Sequence, residues 1–75
     1  MKEEFKVKLL EELSKKELNI NEILKIIKEM LSKKVSVNAI YLNEVIKCVV
    51  DYNFYADKNK KEELIKKAML YASRL

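Results

Sequence analysis

Residues 19–31 read N-I-N-E-I-L-K-I-I-K-E-M-L, and their spacing sets the fold class. Ile20, Ile23, Leu24, Ile27, Met30 and Leu31 recur at intervals of three and four, the period of one face of an α-helix, with lysines and glutamates between them. Asn19 precedes the run and Glu22 follows three residues later, so a capping box is expected to open this helix. A stripe so regular needs an apolar partner, which the flanking sequence must supply.

Upstream, Phe5, Leu9, Leu10 and Leu13 fall at helical spacing within residues 3–18. Glu4/Lys8, Glu11/Lys15 and Glu12/Lys16 each place an acid four residues before a base, an arrangement expected to pair on an exposed helical surface. Downstream, Lys33 to Asn38 breaks the period, and Ser36 or Asn38 is placed to cap a third helix reaching about Ala56. That helix carries Ile40, Leu42, Val45, Ile46, Val49, Val50 and Tyr52, with only the strip Asn43, Glu44, Lys47 and Asp51 polar. It is therefore expected to be the central, most enclosed element. The alternation in K-V-S-V-N-A-I (34–40) leaves loop and short strand both open for the link. Asn59 and Glu62 repeat the capping-box pattern and announce a fourth helix, with Leu64, Ile65, Ala68, Met69, Ala72 and Leu75 facing inward.

The composition agrees. There is no Gly, Pro, His or Trp in the 75 residues, nor any Gln or Thr, which removes the usual builders of hairpins and phosphate-cradling loops. Hydrophobic residues make up 49% and charged residues 37%, enough apolar surface to bury a core and enough charge to solvate the outside. The expectation is one all-α domain over residues 1–75: a compact four-helix bundle, three long helices plus a fourth, with short connections. A splayed orthogonal bundle is the alternative.

The same composition narrows function. Acid–base catalysis usually draws on His, metal sites on clustered His, Cys or carboxylates, and nucleophilic Ser or Cys on an adjacent base. The sequence has no His and one cysteine, Cys48, so no catalytic residue, metal site or cofactor is expected. Cys48 lies inside the apolar arc of the third helix and reads as a small core hydrophobe. A lone cysteine forms no internal disulfide, and Lys2, Glu3 and Glu4 do not open a signal peptide, which together suggest a reducing cytoplasm. The longest nearly apolar run, Val45 to Val50, is too short to span a bilayer.

Charge is unevenly shared along the chain. The net charge is +4, while the segments 1–18, 19–35, 36–57 and 58–75 carry zero, +2, −2 and +4. Lys58, Lys60 and Lys61 crowd the start of the fourth helix, where the dipole disfavours cations and attracts anions. Just before them stand Tyr52, Phe54 and Tyr55, so residues 52–61 read Y-N-F-Y-A-D-K-N-K-K. Rings at successive positions cannot all face one core. Exposed rings running into bases suit a protein interface or, by stacking and phosphate contact, a nucleic acid. The candidate partner-binding residues are therefore Tyr52, Phe54, Tyr55, Lys58, Lys60 and Lys61, with Lys33 and Lys34 as a second basic patch. A helix-turn-helix presenting Asn38, Tyr41 and Lys47 is a further alternative, although the turn lacks Gly and its segment is net negative.

The order of helix types, with D-Y-N-F-Y (Asp51 to Tyr55) ending the third and E-E-L-I (Glu62 to Ile65) opening the fourth, resembles the pediocin-like bacteriocin immunity proteins. That resemblance implies a small basic cytoplasmic four-helix bundle protecting a producer cell at the bacteriocin's membrane receptor. The residues themselves favour a non-enzymatic binding or adaptor protein, with a protein partner or a second copy ahead of nucleic acid.

Overall fold

The computed structural model covers Met1–Leu75 and contains four helices and no strand: α1 (Lys2–Leu13), α2 (Ile20–Ser32), α3 (Ala39–Tyr52) and α4 (Lys58–Ser73). α1 packs on α2 and α4, and α3 packs most extensively on α4 and least on α2. The ends of α1 and α3 meet the start of α4 at one end of the molecule. At the other end the Asn38 N–H donates to the Leu75 carbonyl (3.3 Å), joining the start of α3 to the chain's last residue. The result is an up-and-down bundle of 35 × 20 × 16 Å.

Each helix begins or ends where local chemistry permits. Asn19 accepts a hydrogen bond from the Glu22 N–H and Asn38 one from the Tyr41 N–H, both at 3.1 Å, so two of the expected caps form through their asparagines. The cap of α4 is displaced: the Asp57 carboxylate accepts from the Asn59 N–H at 2.8 Å, in place of the expected Asn59/Glu62 pair. An aspartate there also places negative charge at the positive pole of the helix, offsetting the lysines that follow. α2 stops through paired bonds from the Val35 N–H to the Met30 carbonyl (3.0 Å) and from the Lys34 N–H to the Leu31 carbonyl (3.1 Å). This is a Schellman stop. Its left-handed position normally takes Gly; with none in the chain, Lys34 occupies it at φ 55°. Residues 33–38 are accordingly a loop, not a strand.

Fourteen side chains form a single buried cluster. α1 contributes Phe5, Leu9 and Leu13, α2 Ile23, Ile26, Ile27 and Met30, α3 Leu42, Val45, Cys48 and Val49, and the C-terminal region Ala68, Ala72 and Leu75. Tyr41 and Tyr71 lean together beside it, with centroids 5.3 Å apart and planes at 49°, tying α3 to α4.

Five expectations are corrected. α1 ends at Leu13 rather than near residue 18, and α3 at Tyr52 rather than Ala56. None of the three expected four-residue ion pairs forms; Glu3 meets Lys6 at 3.5 Å and Glu12 meets Lys15 at 2.7 Å, each three residues apart. On α2 the buried stripe takes Ile26 and leaves Leu31 exposed. α3 is not enclosed on all sides, because Ile40, Asn43, Lys47 and Val50 form an exposed strip and Ile40 is 72% exposed. Residues three and four apart share one face, so an apolar residue in phase with Asn43 and Lys47 faces water with them.

Two measurements check this packing. In urea unfolding, Leu9→Ala is expected to lower stability by about 2–5 kcal/mol, whereas Ile40→Ala changes it by at most about 0.5 kcal/mol. Lys34→Gly is expected to raise stability by about 1 kcal/mol, since only the lysine's Cβ resists φ 55°.

Candidate functional site

The end of α1 borders a concavity lined by apolar and basic side chains. The Ser14 N–H bonds to the Leu10 carbonyl (3.0 Å) and its hydroxyl donates to the Glu11 carbonyl (2.8 Å), closing the helix before the chain turns away through Lys15 to Glu17. Residues of α4 from Lys58 to Met69 face this end of α1. Between them lies an open cleft of about 410 Å³.

Leu13, Leu18, Ile65 and Met69 supply its aliphatic lining, with Tyr52 from the end of α3. Five lysines surround it: Lys15 and Lys16 on the α1 side and Lys58, Lys61 and Lys66 on the α4 side. Glu62 is the lone acid among the lining residues. Lys15 binds Glu12, whose hydrogen bond and charge raise the lysine's pKa and keep it cationic. Lys61 lies over the Tyr52 ring, 4.8 Å from its centroid. Lys16, Lys58, Lys61 and Lys66 make no ion pair within the protein. The cleft thus joins an apolar floor to a cationic rim whose charge is mostly uncompensated.

Of the residues singled out from sequence, Tyr52, Lys58 and Lys61 line this cleft. Phe54 and Tyr55 lie beyond α3 on the link to α4, 79% and 41% exposed. Lys60 points elsewhere and stands 3.8 Å from Glu63. Lys33 and Lys34, the second basic patch, do not line the cleft: they follow α2 at the opposite end, where the Lys33 ammonium sits 5.6 Å from the Phe5 ring. Lys15, Lys16, Lys66, Leu18, Ile65 and Met69 were not singled out. The signal for part of this set was present, since 58, 61, 62, 65, 66 and 69 lie on one helical stripe that is apolar and basic together.

Two of the side chains considered for groove reading are engaged elsewhere. The Asn38 side chain caps α3 and the Tyr41 ring packs on Tyr71. No cluster of three Cys, Asp or Glu side chains suited to a metal ion forms. No helix is long and apolar enough to cross a membrane. No family model, curated protein or solved structure matches the chain.

Cys48 is buried at 3% exposure, and burial raises its thiol pKa from an ordinary 9.0. The folded protein therefore holds this proton where the unfolded chain has lost it. The contribution to stability is full below the ordinary thiol range and declines as pH rises through it. Alkylation by iodoacetamide at about pH 8 is expected to be far slower in buffer than in urea. Cys48→Ala should remove the part of the alkaline stability loss that this thiol causes.

Proposed function

We propose that this chain is a non-enzymatic binding module that docks another protein at the end of the bundle formed by Tyr52, Phe54, Tyr55 and the first turns of α4. The single observation that supports it most is the joining of an apolar cleft to a mostly uncompensated basic rim, with Phe54, 79% exposed, two residues along the chain from the lining Tyr52. A ring left in water has the character of an interface anchor, a role in which aromatic residues are enriched. The lysines would speed encounter with an acidic partner and fix its orientation.

Nucleic acid fits less well. The apolar part of the cleft lining is aliphatic apart from one ring, Tyr52, and that ring already carries Lys61 over it, which leaves little for bases to stack on.

The test is capture of partners from the source cells by the wild-type protein and by folded variants. It is run beside direct binding to single- and double-stranded DNA and RNA at about 50 and 200 mM salt. Phe54→Ala is expected to weaken partner binding by about tenfold, mostly through faster dissociation. Lys58→Glu with Lys61→Glu is expected to slow association and flatten its salt dependence. Tight, salt-sensitive nucleic-acid binding lost in the lysine variant would overturn the reading.

A further inference from the structure

We infer that the cleft receives an acidic amphipathic helix of about three turns, a deeper statement of the protein-docking reading on which it rests. The lining positions on α4 are 58, 61, 62, 65, 66 and 69, spaced by three and four. They follow one face of the helix for about 16 Å at a rise of 1.5 Å per residue. The opposite wall is the end of α1 and the segment to Leu18. Within that length Ile65 and Met69 on α4, with Leu13 and Leu18 on the opposite wall, offer an aliphatic patch suited to the apolar stripe of a short helix, whose i, i+3, i+4 and i+7 side chains would lie on it.

The charges select the sign of the occupant and favour a helix over a small amphiphile. Lys15 and Lys16 stand on one wall, and Lys58, Lys61 and Lys66 are spread along the other. A single carboxylate or phosphate headgroup needs cations gathered at one point. Cations along both walls instead complement several carboxylates flanking an apolar stripe on its two sides. The exposed Phe54 and Tyr55 follow the lining Tyr52 in the chain, and Leu18 also lines a polar depression reaching Asn53. A helix belonging to a larger protein can cover that extent.

The experiment uses the whole chain, labelled with ¹⁵N, and three capped peptides of about 15 residues. The first carries Leu at i, i+3, i+4 and i+7 flanked by Glu; the second has the same composition in an order without helical spacing; the third replaces each Glu by Lys. The expected result is that the first peptide alone shifts amide resonances of residues 13–18 and 58–69. Its affinity should fall at least about tenfold when Lys61→Glu and Lys66→Glu are combined, two exposed-helix changes whose fold is checked by circular dichroism. Equal binding of the first two peptides would overturn the proposal in favour of charge attraction alone. Binding of dodecanoate in the cleft without binding of the first peptide would reassign it to a small amphiphile. Absence of shifts at about 1 mM peptide would also overturn it. If partner capture nevertheless depends on Phe54 and Lys58, the docking reading stands and only the helical occupant is removed.

Discussion

The architecture depends on how closely α3 lies against α4. That contact is the most extensive in the bundle, and the residues α4 buries are Ala68 and Ala72, the smallest side chains in the core, while α3 buries Leu42, Val45, Cys48 and Val49. Small residues let two helices approach and bring many atoms within dispersion range. The Tyr41–Tyr71 pair and the Asn38–Leu75 hydrogen bond then fasten the far end. With α4 held by α3, α1 and α2 complete the bundle by covering the faces that remain.

That division of labour leaves the opening. Leu13 and Ser14 at the end of α1 and the chain on to Leu18 form one wall of it, and Lys58 to Met69 of α4 the other. Ile65 and Met69 on that face of α4 are half-buried, and Lys58, Lys61 and Lys66 share the face with them, so the apolar lining and much of the basic rim come from one stripe of one helix. Lysine stems can lie along such apolar surface while their ammonium groups stay in water.

Most helices were legible because burial imposes a period that single side chains seldom disturb. Where the reading went astray, local chemistry or tertiary packing had the deciding role. Leu31 belongs to the apolar stripe of α2 by spacing yet stays exposed near its end, and Ile40, apolar by type, shares the exposed face of Asn43 and Lys47. Asn59 looked like a cap, but Asp57 stands closer to the point where the chain must turn after α3. Glu11/Lys15 and Glu12/Lys16 do not pair because Ser14 ends the helix before Lys15 and Lys16 can lie on its surface, and Glu12 meets Lys15 instead.

The sequence by itself determined four helices, two of the asparagine caps, the core identity of Cys48 and the suspicion attached to Tyr52, Lys58 and Lys61. These follow from spacing, side-chain chemistry and local charge, which act over a few residues. Only the tertiary structure decided that Lys15, Lys16 and Leu18 face Ile65, Lys66 and Met69 across a cleft, and that Lys33 and Lys34 stand at the other end. Those relations join residues some fifty positions apart. They depend on where α1 stops relative to α4, a distance set by packing of the whole core and not written in the period of any one helix.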